Sequence, residues 1–242
     1  MLAGRISASF SNEGASADVL LAEILPANTA HVLVQGMPMF GGALMLVLGA
    51  LVAGSGYGWG TWKTVFTQGP ARRSAVVGSL WALTVFVVTT VLITLALCLA
   101  LSLLVAGVES QAVVWPEASD LLVSLGAGFL VMEVWALVGF LLGTLARSPA
   151  LSIGLGLVWT LVVENLLRGV GQLLGPVETI TTFLPGTGAG SLVGSIVGTG
   201  GPDPTPGVLS TLSGGQATAV LLGYLLVAPA IAVWLISRRD VS

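Results

Sequence analysis

The sequence predicts an all-α, polytopic membrane protein with five transmembrane helices, a short amphipathic helix on one membrane surface and a re-entrant region on the other. Three observations predict it. First, 55% of the residues are hydrophobic and only 8% are charged, whereas a soluble domain is about a quarter charged; this chain cannot clothe itself in water-compatible surface. Second, the apolar residues fall into long uninterrupted runs, each matching a hydrocarbon core of about 30 Å. Third, the basic residues are not spread along the chain but gather in three short connections. The net charge of −3 offers nothing to a polyanion, so no nucleic-acid partner is expected.

Residues 1–31 carry no secretory signal, since no basic region precedes an apolar core and small-residue cleavage site. Asp18–Leu25 reads as one or two turns of surface helix closed by Pro26, and residues 1–31 as an extracytoplasmic segment. One transmembrane domain then occupies residues 32–242, with spans at about 32–53, 75–108, 119–146, 150–167 and 216–236. The second exceeds one bilayer thickness, so it must tilt or protrude. The longest polar interruption, residues 54–73, holds Lys63, Arg72 and Arg73. At 100° per residue, Trp59, Trp62, Val65, Phe66 and Gly69 share one side of a helix and Lys63, Thr64, Thr67 and Gln68 the other, which predicts a short surface helix. Gly69-Pro70 stops it, and Pro70 suits the start of the next helix. Arg147-Ser-Pro149 is a tight turn between the third and fourth spans.

Residues 168–215 are rich in Gly, Thr and Pro. The apolar pieces within them, Thr182-Phe-Leu-Pro-Gly186 and Leu192-Val-Gly-Ser-Ile-Val197, are too short to cross and read as re-entrant or interfacial. Gly198 to Gly207 reads as an exposed loop. Five spans put Lys63, Arg72, Arg73, Arg147, Arg238 and Arg239 on one side and leave Arg5 and Arg168 on the other. The positive-inside rule makes the first side cytoplasmic and the N-terminus external, in the plasma membrane.

Chemistry-bearing motifs are scarce. The only lysine follows Trp62, so no phosphate-binding Gly-Lys-Ser/Thr loop exists; a zinc-type His-Glu-x-x-His, a Gly-x-Ser-x-Gly elbow and an intramembrane aspartyl pair are missing too. One cysteine, Cys98, and one histidine, His31, cannot build a metal site. No enzyme activity, cofactor or metal is expected. Glu133, near the middle of the third span, is costly as an ion there; it reads either as a pathway contact or as a neutral acid in a helix interface. Glu164 and Arg168 are spaced i, i+4 and can pair on one helix face, with Asn165 beside them. Trp81, Trp115, Trp135, Trp159 and Trp234 read as belt or packing residues.

Three stretches resemble the membrane (permease) subunits of bacterial ABC-2 type transporters. Gly54-Ser-Gly-Tyr-Gly-Trp-Gly-Thr61 followed by Phe66-Thr-Gln-Gly-Pro-Ala-Arg-Arg73 is similar to the two elements that enclose that family's coupling helix. Leu145-Ala-Arg-Ser-Pro-Ala-Leu-Ser-Ile-Gly154 is similar to its short cytoplasmic turn between later helices, and Phe183-Leu-Pro-Gly186 to its outer re-entrant region. The resemblance implies an ATP-driven exporter of a small amphipathic substrate, with a second permease chain and a separate ATPase subunit as partners. It implies that Trp59, Thr61, Trp62, Phe66, Pro70, Arg72 and Arg73 form the ATPase-coupling segment. The chain departs from the family where an acidic residue is Gly56, a basic residue Gly58 and a helix lysine Ser79. Family members usually have six spans, so residues 1–31 correspond to the outer loop after a first helix. Two other classes stay open: an ion- or proton-coupled secondary transporter using Glu133, and a non-transporting membrane scaffold or immunity protein.

Overall fold

A computed structural model describes residues 20–67, 71–171, 173–199 and 205–238, without the side chains of Trp62, Lys63, Phe66 and Arg72. Among the described residues the chain is helical throughout, with no strand. Five helices are long and apolar enough to cross a membrane: α1 (Pro26–Gly58), α3 (Arg72–Val108), α4 (Ala118–Ala146), α5 (Pro149–Gly171) and α8 (Gly214–Arg238). A short helix α2 (Thr61–Thr67) sits between the first two. Two more, α6 (Gly175–Thr181) and α7 (Pro185–Val197), make a pair bent by 75° between α5 and α8.

The first span begins earlier and ends later than the residue pattern suggests. Pro26 opens α1 at its first turn, where a missing N–H costs nothing, and the helix continues through Gly54-Ser-Gly-Tyr-Gly58. Those five residues look like a loop by composition. They are helical, and at Gly54 a tertiary neighbour leaves no room for a side chain. Inside α1 the segment Met37–Gly41 is a π turn around Pro38, with the Gly41 N–H reaching the Gly36 carbonyl at 3.1 Å. The wider turn absorbs a residue whose ring disrupts ordinary α pairing.

α3 is 37 residues long, about 55 Å at α-helical rise, so it tilts or protrudes as its length demands. Residues 109–117 then cross to α4 without regular structure. α4 is the centre of the bundle: Ala127 to Leu137 is buried almost without a break, including Trp135 and Glu133. Its most extensive partner is α1. A Cβ on Gly49 would run into the Ala136 carbonyl oxygen, and one on Gly139 into the Leu46 carbonyl oxygen. One turn further along, a Cβ on Gly143 would lie 2.8 Å from the Ala50 carbonyl oxygen. The two backbones therefore touch, held by dispersion and close polar contact rather than by a hydrophobic driving force, which lipid does not supply.

α4 ends on Arg147 in the left-handed conformation (φ 52°), whose N–H closes on the Gly143 carbonyl. Ser148 caps α5, its Oγ accepting from Leu151 N–H at 3.5 Å, with Pro149 at the first helical position. The two-residue turn is thus encoded locally. The Gly/Pro-rich region is more ordered than its composition suggests. α7 is buried from Pro185 to Gly194, and α8 is its main partner. Tyr224 Oη donates to the Phe183 carbonyl at 3.1 Å, tying the α6–α7 bend to α8. Residues 205–209 are not a free loop: Leu209 N–H bonds to the Gly190 carbonyl at 3.0 Å, and Gly207 (φ 87°) packs on Met39. At about 20 Å, α7 alone is shorter than a hydrocarbon core, and with α6 it forms a bent pair that is either a re-entrant loop or one broken span.

Candidate functional site

One end of the bundle brings together the two connections richest in basic residues. α1 ends at Trp59, Gly60 (φ 68°) turns the chain, and α2 begins at Thr61. The positive φ breaks helical phase, so Trp59 does not continue the apolar stripe of α2 as the spacing predicts; it stands outside that helix, 83% exposed. Among the described side chains of α2, Val65 is half-buried and Thr61, Thr64 and Thr67 are exposed. Arg73 is exposed in the first turn of α3. The side chains of Trp62, Phe66 and Arg72, and all of Pro70, lie outside the described residues.

The α4–α5 turn packs directly beneath this corner. A Cβ on Gly54 would come within 2.8 Å of Pro149 N, and Gly58 faces the Pro149 ring. The Arg147 guanidinium stands 5.8 Å over the Tyr57 ring, within cation–π range. The first contact explains Gly54, where a side chain could not seat the turn; a Cβ on Gly58 would meet the Pro149 ring only at van der Waals distance. Beside them, a groove of about 640 Å³ separates α1 and α2 from α3, with Ser55, Gly56, Trp59, Val65, Ser74 and Ser79 on its walls. Gly56 and Ser79 both open into this groove.

A second constellation lies on α5 and α7. The π turn Trp159–Val163 lets the Trp159 indole N–H donate back to Glu164 Oε1 at 3.0 Å. Glu164 is fully buried, and its Oε2 lies against Gly186, in space that a Cβ there would fill. Gly186 is in the first turn of α7, whose positive dipole end favours a carboxylate. Glu164 and Arg168 face one cavity together with Asn165, so their charges interact, but no hydrogen bond joins them directly. Arg168 Nη2 instead donates to Asn165 Oδ1 at 2.8 Å. The physical reason is that Glu164 turns into the bundle while Asn165 stays on the exposed flank, three residues from Arg168. Trp135 Nε1 and Glu164 Oε2 are both buried without a hydrogen-bond partner. Both residues line one cavity of about 20 Å³ between the two π turns, room for one water molecule. Trp135 is a fully buried packing residue, as its place in an apolar span suggests, with one polar atom facing that cavity.

Glu133 stands apart from both. Its Oε1 accepts from Thr84 Oγ1 of α3 at 2.6 Å, and its Oε2 has no partner. Thr84 Oγ1 also lies 3.1 Å from the Leu80 carbonyl, an alternative acceptor for its one proton; other hydroxyls of α3 bond their own backbone four residues back, so the sequence does not single Thr84 out. Among the described residues no cluster of His, Cys, Asp or Glu could hold a metal ion. No protein-family model matches this chain, and neither a curated protein nor a solved structure is significantly similar to it.

Proposed function

We propose that this chain is the membrane-spanning permease subunit of an ATP-driven transporter, docking a separate ATPase subunit through residues 59–73. A second permease chain completes the pathway. The single observation that supports this reading is the corner just described, where the short helix α2 and the Arg147 turn meet at one end of the bundle. Arg73, Arg147 and Arg238 share that end if the long helices alternate in direction, and the positive-inside rule makes it cytoplasmic. Trp59 and the exposed threonines of α2 present a surface to a partner, while Gly54–Pro149 contact ties the same surface rigidly to three spans. A push on α2 thus reaches α1 and α4 through backbone contact rather than through flexible side chains, the property that rigid-body switching requires.

The experiment is coexpression with the candidate ATPase, followed by reconstitution of the purified complex. Phe66→Asp or Trp62→Asp is expected to leave membrane insertion intact and to uncouple ATP hydrolysis from transport. Unchanged transport at equal expression, or labelling of a cysteine at Thr67 by an impermeant reagent from outside the cell, overturns the reading.

A further inference from the structure

The unpartnered oxygen of Glu133 faces a problem that the bundle does not solve. An acid 3% exposed inside an apolar helix interface ordinarily has both oxygens bonded, because an unmet polar group there costs as much as a lost hydrogen bond. Glu133 has one bond, from Thr84. It also lines a groove of about 280 Å³ between α3, α4 and α8, together with Trp81, Leu137, Leu225 and Pro229. That is the small end of ligand-pocket volumes.

The lining dictates what fits. Pro229 interrupts α8 and has no N–H to return to the Leu225 carbonyl. Leu225 and Pro229 of α8 line the groove beside the Glu133 carboxyl. The lining holds no Lys, Arg or His, so no basic side chain of the groove meets the Glu133 carboxyl. Most of the remaining surface is apolar, supplied by Leu80 and Leu137 among others, and the Trp81 ring, 66% exposed, stands at the rim. An aromatic face there favours a cation. Carrying a lone ammonium into this depth would be costly. A lipophilic amine avoids that cost, since it and the Glu133 carboxyl share a single proton and the pair is neutral whichever atom holds it.

We infer that the α3–α4–α8 groove is a binding site for a small lipophilic tertiary amine, whose nitrogen pairs with Glu133 while its apolar body lies between Trp81, Leu137 and Leu225. The site rests on the bundle alone and does not depend on an ATPase partner.

The test is equilibrium binding of a tritiated lipophilic tertiary amine to the full chain in phosphatidylcholine nanodiscs. Saturable binding is expected, displaced by the unlabelled amine and not by the isosteric amide, which cannot take a proton. Glu133→Gln is expected to weaken binding at least about tenfold, the loss typical of a charge-assisted bond. If Glu133→Gln does not fold, Val77→Trp carries the test: Val77 lies at the exposed edge of the same groove, and a bulky ring there should block binding with Glu133 intact. Binding no greater than to empty nanodiscs, equal affinity for the amide, or wild-type affinity in whichever variant folds overturns the inference. Loss of binding with transport coupling intact, or the reverse, separates this site from the proposed ATPase contact.

Discussion

α3 and α4 are both strongly apolar, yet they sit in the molecule in opposite ways. The best 18-residue window of α3 has the higher mean hydropathy, 2.8 against 2.1, but only 17% of it is buried inside the protein, against 61% for α4. Hydropathy therefore tells which segments enter lipid and nothing about which of them form the core. The difference lies in the small residues. Gly128, Gly139 and Gly143 of α4 each face an atom that leaves no room for a Cβ, whereas Gly78 and Gly107 of α3 face nothing within 4 Å. Lipid tails are as apolar as leucine, so a helix gains by packing on protein only where backbones can approach closely. α4 can do this and α3 mostly cannot. Its broad exposed face, from Trp81 through Phe86, Leu97 and Leu104 to Val108, is left to lipid or to another chain.

The comparison breaks most sharply at the α1–α4 seam. Gly139→Leu must push α4 off the Leu46 carbonyl, and backbone cannot yield as a side chain would; a loss of about 3 kcal/mol or more is expected, seen as aggregation or a large drop in thermal midpoint in detergent. A midpoint within a few degrees of wild type would show that the seam is not what holds the bundle. Next comes the α5–α7 knot. Gly186→Ala places a methyl group where Glu164 Oε2 lies and is expected to cost about 1–3 kcal/mol. Adding Glu164→Ala should recover part of that loss, because the two residues compete for one space; strictly additive losses in the double mutant argue against the contact. The smallest effect belongs to α3. Leu97→Ala, on a side chain 57% exposed, should change monomer stability by less than about 0.5 kcal/mol. A larger change there means that the α3 face packs on something in the measured species, and cross-linking would identify a second copy.

Much of this organisation was legible in the residues. The five segments long and apolar enough to cross, the excess length of α3, the helix between Gly60 and Pro70, and the tight turn at Arg147-Ser-Pro149 follow from hydropathy, helix-stop chemistry and capping, all local properties. What misled was glycine. Gly54 to Gly58 look like loop residues because glycine and serine are poor helix formers in isolation, but α1 runs through them, with Gly54 against Pro149. Trp59 looked like part of an amphipathic stripe, and one positive φ at Gly60 removed it. The spacing of Glu164 and Arg168 puts the two charges on one cavity, as their i, i+4 separation suggests, but each makes its direct hydrogen bond elsewhere, to Trp159 and to Asn165.

By itself, the sequence determined that this is a helical membrane protein with five segments long and apolar enough to cross, and which connections carry charge, since each of these depends on the free energy of a short segment in lipid or water. Only the tertiary structure decided that Gly54 meets Pro149, that Trp135 and Glu164 share a cavity, and that Thr84 of α3 completes half of Glu133's needs. Those pairings join residues far apart in the chain, and their energies depend on how closely two particular backbones approach, a quantity no local pattern contains.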